Sequence, residues 1–402
     1  MSTAIFFNTP AYGHINPTLP VVTELVKRGE RVIYYALEEF RAAIEHTGAI
    51  FCSYEHQFWF MREPIEEITV KHLVAILQDC HMLIPRLLEA IQAIKPDYII
   101  HDSLCPWGKY VAQMTGLPAV CSSVIFGLTD KLLMSIPAGI IGKFAMYIGM
   151  KKIEAQIRME VIQISEKYQI PLPDPLDIFT NVEQLNIVYT SKQFQPFAHM
   201  LDDSFKFVGA SILPRPAAPA FPFEQLREDK PLIYISLGTF FNTHLDFYRM
   251  CCEAFADPNV QVVMSIGQRI SPDQLGMIPD NVLVRPAVPQ LALLPRAALF
   301  ITHAGMGSAN EAMYYGVPMI AIPQAGDQPW VARRIAQVGA GKELSRGKLS
   351  VKRLRQTAEE ILANPSYAQA SARMGETLRQ AGGYRRAIDE IQKFKRAHKI
   401  MR

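Results

Sequence analysis

The sequence predicts an α/β protein built from two doubly wound domains, each a parallel sheet with helices on both faces. Three observations lead to this prediction. The chain has 402 residues, more than the roughly 250–300 at which a single core stops growing. Short segments rich in β-branched residues alternate with amphipathic helical patterns, as they do in parallel sheets. A proline-rich stretch within residues 214–230 interrupts this alternation, as a stiff linker would.

We therefore divide the chain into an N-terminal domain (residues 1–213), the linker (214–230), a C-terminal domain (231–383) and a final helix (384–402). A pair of glycines precedes the final helix, which we expect to pack back on the N-terminal domain. Ligands of doubly wound sheets gather at the carboxyl ends of the strands. We accordingly expect two Rossmann-like domains that face each other across a ligand-binding cleft.

Short apolar runs predict the strands of both domains. In the N-terminal domain they are AIFFNTP, RVIYYAL, DYIIHD, AVCSSV and LNIVYTS. In the C-terminal domain they are LIYISLGT, VQVVMSIG, NVLVRPAV, ALFITHA and PMIAIPQ. The segment NPTLPVVTELVKRG predicts a helix with Asn16 as N-cap, Pro17 as first residue and Gly29 beyond its end. His14 is then expected in the loop just before this helix.

Composition excludes several classes of function. The contents of 49% hydrophobic and 20% charged residues are typical of a soluble globular protein, and the net charge of +3 is too small to indicate a nucleic-acid partner. The longest apolar stretch, IPAGIIGKFAMYIGM, is shorter than the ~20 residues of a membrane span, so only peripheral membrane contact stays open. No signal peptide is recognisable, and the cysteines lack CxxC or metal-ligand spacing. These features predict a cytoplasmic protein.

The segment ALFITHAGMGSANEAMYYG predicts a buried strand, a glycine loop and a helix. A helix N-terminus presents unpaired N–H groups and a partial positive charge, which together attract anions. Gly305 and Gly307 would let a phosphate approach the backbone, and His303 and Ser308 could donate hydrogen bonds to it.

Other interpretations of this segment stay open from the residues alone. Ser308 and Glu311 also fit a capping box, which needs no ligand, and glycines are ordinary at strand-to-helix turns. GMGSAN approaches the dinucleotide fingerprint of nicotinamide enzymes, but Asn310 stands where its last glycine belongs.

Motifs along nearly the whole chain carry a resemblance to a known family. VPQLALLPRAALFITHAGMGSANEAMYYGVPMIAIPQAGDQ resembles the donor-binding signature of the family 1, or UDP-glycosyltransferase, superfamily, and above all its bacterial macrolide and natural-product glycosyltransferases. YGHINPTLPVVTELVKRG, PDYIIHDSLCPWG and YISLGT extend the likeness in order. The resemblance implies the GT-B fold, with the acceptor on the N-terminal domain and the nucleotide sugar on the C-terminal domain.

The resemblance assigns the diphosphate to the glycine loop. His303 and Ser308 would contact it, Gly305 and Gly307 would admit it, and Thr239 of SLGT would approach from another strand end. Gly307 replaces an asparagine of the plant pattern, which leaves one phosphate contact to the backbone.

The rest of the donor is assigned in the same way. Glu311 would accept hydrogen bonds from the ribose, Val288 and Gln290 would border the base, and Asp327 and Gln328 would hold the sugar hydroxyls. Plant relatives place a base-stacking tryptophan where this chain has Ala287. Without that ring, we expect the site only to prefer uridine nucleotides over thymidine nucleotides.

The N-terminal domain offers a catalytic base. A helix N-terminus disfavours a charged imidazole, so His14 would stay neutral and able to accept a proton. Asp102 ends the strand DYIIHD, where its carboxylate could hold the second ring nitrogen, and the neighbouring His101 is assigned to structure. An acceptor hydroxyl must lose its proton as it attacks the sugar. For both His14 and Asp102, an ordinary structural role is the alternative.

Aromatic residues of the N-terminal domain are candidates for the acceptor pocket or, alternatively, for the core. The candidates are Phe58, Trp59, Trp107 and Phe126. No D-x-D pair occurs in the sequence, so we expect no metal, and no cofactor besides the UDP-sugar co-substrate.

Together these features predict an inverting, metal-independent glycosyltransferase. The expected reaction moves a hexose, glucose from UDP-glucose, to a hydroxyl of an apolar small molecule such as a macrolide, flavonoid or polyphenol. The alternatives are a sugar-nucleotide epimerase of the same fold, a catalytically silent binding or activator protein and, more remotely, a nicotinamide oxidoreductase.

Overall fold

Two parallel sheets organise the chain. The backbone divides into a first unit, Met1–Ile212 with Ala381–Arg402, and a second unit, Leu213–Gln380. The proline-rich stretch thus belongs to the second unit, and the C-terminal helix belongs to the first. The computed structural model describes residues 2–58, 70–129, 132, 143–171, 180–215, 219–240 and 242–400.

The strands of the first unit form one sheet with the order β3-β2-β1-β4-β5-β6-β7, and every neighbouring pair is parallel. Strands β3 and β7 were not expected from the sequence. They have 4 and 3 residues, and residues in each are only partly buried or exposed, so neither stands out as a continuous apolar run. The strands are β1 (Thr3–Phe7), β2 (Arg31–Ala36), β3 (Ile50–Ser53), β4 (Tyr98–Asp102), β5 (Ala119–Ser123), β6 (Leu185–Val188) and β7 (Phe205–Phe207).

The second unit repeats this plan with the order β10-β9-β8-β11-β12-β13, again all parallel. In both sheets the first strand lies beside the fourth. Successive strands are therefore added towards one edge of the sheet up to β3 and β10, and towards the opposite edge from β4 and β11 onwards. Ligands of such sheets bind at this switch point. The predicted class of two doubly wound domains is confirmed. The strands are β8 (Leu232–Ser236), β9 (Gln261–Ser265), β10 (Val282–Arg285), β11 (Ala297–Thr302), β12 (Met319–Ala321) and β13 (Gly341–Glu343).

Helices connect the strands of both units. Those of the first unit are α1 (Tyr12–Lys27), α2 (Arg41–Glu45), α3 (Val70–Ile94), α4 (Pro106–Thr115) and α5 (Lys143–Tyr168). Those that follow are α6 (Leu245–Ala254), α7 (Gln290–Leu293), α8 (Met306–Tyr314), α9 (Gln328–Gln337), α10 (Val351–Ala363), α11 (Ser366–Gln380) and α12 (Gly383–Ala397). Across the described ranges, every helix is too short or too polar to span a membrane.

Strand β1 shows how the sheet of the first unit is buried on both faces. Ala4 and Phe6 belong to a core shared with α1 and α12, whereas Ile5 and Phe7 belong to a core shared with α3, α4 and α5. Successive side chains of a strand point to opposite faces, so a continuous apolar run results when both faces are covered.

Helix α1 begins earlier than predicted. Its N-cap is Ala11, so Asn16 and Pro17 lie inside the helix and not at its start. The backbone N–H groups of His14 and Ile15 both donate to the Ala11 carbonyl, each at 2.9 Å. His14 is therefore in the first helical turn and not in the preceding loop. The end of the helix agrees with the prediction, since Gly29 follows it with a φ of 84°.

Helix α12 packs against α1 within the first unit. The turn before it is tight, because a Cβ atom on Gly383 would lie 2.9 Å from the carbonyl oxygen of Ala210. Further along, the Lys395 ammonium forms a buried ion pair with Glu30, whose other oxygen accepts a hydrogen bond of 2.6 Å from the Tyr98 hydroxyl. This pairing anchors the C-terminal helix to the first sheet.

Candidate active site

Asp102 lies at the switch point of the first sheet, where β4 ends beside β1. Its side chain is fully buried and accepts three hydrogen bonds. Oδ2 lies 2.9 Å from Nδ1 of His14, and Oδ1 accepts from the Thr9 hydroxyl and the Leu104 backbone N–H, both at 2.8 Å. A buried carboxylate held by three donors has a fixed orientation.

The structure thus brings together the two residues that the sequence proposed as a pair, although they are 88 positions apart. The His14 side chain remains 15% exposed. When the Asp102 carboxylate accepts a hydrogen bond from Nδ1–H, the imidazole carries its lone pair on Nε2. This tautomer can accept a proton at Nε2.

A buried polar cluster of Asn8, Thr18 and Tyr34 contacts the backbone at His14 and was not predicted. The Asn8 amide donates to the backbone carbonyl of His14 at 3.3 Å and also contacts the hydroxyls of Thr18 and Tyr34. Burial raises the pKa of Tyr34, so its hydroxyl keeps its proton. These contacts anchor the first turn of α1 to the sheet. The signal in the sequence was the polar pair Asn8–Thr9 directly after β1.

His303 follows β11 at the switch point of the second sheet. Glycines crowd its imidazole: Cβ atoms on Gly238 and Gly305 would lie 2.6 Å from Cε1 and 2.5 Å from Nε2. Burial lowers the pKa of His303 to about 4, against a hydrogen bond to the Ser236 backbone that acts in the opposite direction. His303 is therefore neutral near pH 7. Its Nδ1 atom is buried without a hydrogen-bond partner, which is uncommon for a buried polar atom.

Helix α8 begins at Met306, shortly after His303. Its N-cap is Gly305, and no side chain caps it. The alternative of a capping box made by Ser308 and Glu311 is therefore wrong, because Ser308 lies inside the first turn and not at the cap. A Cβ atom on Gly307 would meet nothing within 4 Å. The helix N-terminus thus opens onto free space at Gly307.

Three of the predicted donor-site residues form one hydrogen-bonded cluster. The amide nitrogen of Gln290 lies 2.6 Å from Oε2 of Glu311 and 3.4 Å from the hydroxyl of Ser308. The amide oxygen accepts a hydrogen bond of 3.0 Å from the Tyr234 hydroxyl, which fixes the orientation of the amide. Glu311 also forms an ion pair with Arg215. Neither Tyr234 nor Arg215 was expected here from the sequence.

The other predicted donor-site residues follow strands of the same sheet. Thr239 is exposed in the turn after β8, and Val288 is half-buried just before α7. Asp327 occupies the N-cap position of α9 without capping it through its side chain. The Gln328 side-chain oxygen accepts hydrogen bonds from the backbone N–H groups of Gln324 and Ala325, at 2.8 and 3.2 Å. Gln328 thus holds its own loop in place.

Three of the four aromatic acceptor candidates lie in the core. Trp107 and Phe58 are fully buried with ring centroids 5.5 Å apart, and Phe126 is 1% exposed beside Phe194. Of the two interpretations of these rings, their burial favours the core. Trp59 lies outside the described residues.

Among the described residues, no three His, Cys, Asp or Glu side chains are grouped so that they could hold a metal ion. The main feature at the switch point of the first sheet is a histidine–carboxylate pair. The main feature at the switch point of the second sheet is a glycine-lined helix N-terminus.

These features define the class of protein, a two-domain α/β enzyme of the GT-B fold. The solved structure of CalG4, the calicheamicin glycosyltransferase, is similar over 98% of both chains, with a TM-score of 0.83 and 27% sequence identity.

Sequence comparisons specify the family. Residues 250–381 match the family described as erythromycin biosynthesis protein CIII-like, C-terminal domain. The uncharacterized UDP-glucosyltransferase YojK of Bacillus subtilis (strain 168) is 34% identical over 97% of both chains. The oleandomycin glycosyltransferase of Streptomyces antibioticus is 31% identical over 96% of this chain and 89% of its own. The chain belongs to the UDP-glycosyltransferase superfamily, in its macrolide and natural-product group, and is a glycosyltransferase.

Proposed function

We propose that this glycosyltransferase moves a hexose, glucose from UDP-glucose, to a hydroxyl of an apolar small molecule such as a macrolide, flavonoid or polyphenol. The observation that carries the proposal is the pair formed by His14 and the buried Asp102. The choice of donor is supported by the similarity to a UDP-glucosyltransferase, and the choice of acceptor by the similarity to the oleandomycin enzyme. These relatives are transferases, which disfavours an epimerase or a silent binding protein.

His14 would act as the general base. As the acceptor oxygen attacks the anomeric carbon, its proton passes to Nε2 of His14, and Asp102 stabilises the imidazolium that forms. The bond between the anomeric carbon and the diphosphate oxygen breaks, and UDP leaves with the bonding electrons. A single displacement of this kind inverts the configuration at the anomeric carbon.

The departing diphosphate would bind at the N-terminus of α8, where backbone N–H groups and the helix dipole favour negative charge. His303 would face it with Nδ1. Because Nε2 is the ring nitrogen left to donate to Ser236, donation from Nδ1 requires a second proton. The negative charge of the diphosphate would favour that protonation. The helix terminus and His303 would then neutralise the leaving group without a metal.

Mass spectrometry of reactions between UDP-glucose and a mixed panel of phenols and macrolides tests this function. The expected result is a product heavier than its acceptor by one hexose, formed equally well in excess EDTA. Product formation that EDTA abolishes and magnesium restores would disprove metal independence. Conversion of UDP-glucose to another sugar nucleotide without an acceptor would indicate an epimerase instead. NMR of the anomeric proton would show whether the configuration is inverted.

A further inference from the structure

Arg215 contacts the carboxylate to which the ribose is assigned. It lies in the proline-rich stretch, and its Nη2 atom forms an ion pair with Oε1 of Glu311, 96 positions away in the sequence and within the same unit. The sequence pattern around Arg215 indicates only a linker. The contact makes the start of the second unit part of the nucleotide site.

Glu311 needs this partner. The residue is only 8% exposed, and a buried carboxylate without a counter-charge is strongly destabilising. Its two oxygens are held by different donors, Oε1 by Arg215 and Oε2 by the Gln290 amide. The rotation of the carboxylate about its last bond therefore depends on both donors.

The held carboxylate can still bind a ribose. An ionised carboxylate offers about four lone-pair directions, and Arg215 and Gln290 use one each. Two lone pairs of the carboxylate are then left for hydroxyl donors. The contacts with Arg215 and Gln290 determine where these two lone pairs point. The Arg215 side chain is itself 30% exposed, so its guanidinium lies at the rim of this cluster.

We propose that Arg215 is a positioning residue for ribose recognition, and that it gives the site its preference for ribonucleotides over 2′-deoxyribonucleotides. It acts through Glu311: it aims one carboxylate lone pair at the 2′-hydroxyl. This inference rests on the proposed function, which assigns the ribose of UDP to Glu311. A purely structural counter-ion would stabilise the unit without affecting this preference.

Calorimetric titration of UDP and 2′-deoxy-UDP separates the two roles. The parent protein should bind UDP about tenfold more tightly, the effect of one hydrogen bond to a charged group. In Arg215→Met this ratio should fall to below about twofold, mainly because UDP binding weakens. Arg215→Lys should recover part of the ratio, since lysine supplies the charge without the planar fork of donors.

Two further variants complete the test. Glu311→Gln should also lose the preference, and this variant serves if Arg215→Met does not fold. Arg227→Met is the matched control, because Arg227 pairs with Asp229 on the surface of the same unit, and its ratio should equal that of the parent.

Two outcomes would overturn one claim or the other. If Arg215→Met keeps the tenfold preference, the positioning role is wrong even when the melting temperature falls. An equal loss of affinity for both nucleotides is one form of this outcome, and it would show that Arg215 acts on the diphosphate and not through Glu311. If the parent binds neither nucleotide, the proposed function itself fails.

Discussion

Two histidines lie at the switch points of the two sheets, and their surroundings differ in kind. His14 faces a buried carboxylate at 2.9 Å and keeps part of its ring exposed. His303 has glycines around its ring, and burial lowers its pKa to about 4. The comparison teaches that equivalent positions in the two sheets do not give a side chain the same chemistry, because its immediate neighbours decide it. A hydrogen-bonded carboxylate orients the imidazole of His14, whereas burial lowers the pKa of His303.

Removal of His14 should have the largest effect. His14→Ala should lower kcat by about 10²-fold or more, because a positioned base contributes ~10²–10⁴ in rate. The Kd for UDP should change little, since the nucleotide contacts are assigned to the second unit. Steady-state kinetics and calorimetry measure the two quantities. Asp102→Asn should also slow turnover, and near-normal turnover of His14→Ala would remove this residue from the mechanism.

Removal of His303 should affect binding and not only rate. His303→Ala should weaken UDP binding by roughly 10- to 150-fold, the loss of one hydrogen bond to a charged oxygen. Uridine, which lacks the diphosphate, is the control ligand, and its affinity should be unchanged. A variant that binds UDP as tightly as the parent would leave the glycine loop as an ordinary strand-to-helix turn.

The environment of His303 predicts a pH dependence of stability. Its folded-state pKa of about 4 lies below the ordinary value of 6.5, so the unfolded chain takes up a proton first as pH falls. The contribution of neutral His303 to the free energy of unfolding is therefore fully present above pH ~6.5 and decreases towards pH 4. About 2 kcal/mol of this contribution is lost at pH 5. Urea denaturation at pH 7.5 and pH 5 should show a smaller loss for His303→Gln than for the parent. Equal losses would contradict the buried, neutral state.

The two glycines of the loop provide the smallest and most selective contrast. Gly307→Ala should be neutral or stabilising by up to ~1 kcal/mol, yet weaken UDP binding, because its methyl group enters the open space at the helix N-terminus. Gly305→Ala should lower the melting temperature, because its methyl group would overlap the His303 ring. Thermal melts and UDP titrations of both variants test this, and identical behaviour would show that the glycines serve the same purpose.

Much of the fold followed from local patterns, and the errors have local causes as well. The predicted strands are present, but β3, β7 and β13 were missed, because these short strands include partly buried or exposed residues and form no continuous apolar run. Asn16 was the best capping residue by type, yet α1 starts a turn earlier on an alanine. There the Asn8 side chain contacts the first turn from outside the helix, and no propensity encodes that support.

The candidate site was predicted less evenly. The sequence proposed that His14 and Asp102 meet, and they do; their catalytic roles stay predictions. Thr9 and Arg215 were missed, because no motif or chemical requirement in the sequence links either residue to its carboxylate, 93 and 96 positions away. Trp107 seemed available to an acceptor by residue type, but its ring fills the core.

By itself, the sequence determined ten of the thirteen described strands in their order, the division into two α/β units, the glycine loop before α8 and the family. Each of these is a local pattern, set by side-chain periodicity, turn chemistry or a motif of adjacent residues. Only the tertiary structure decided which oxygen of Asp102 holds His14, which cation balances Glu311 and how deeply His303 is buried. Those properties depend on distances and desolvation between segments far apart in the chain. Charges and hydrogen bonds gain their strength from exclusion of water, and that exclusion exists only once the segments have packed together.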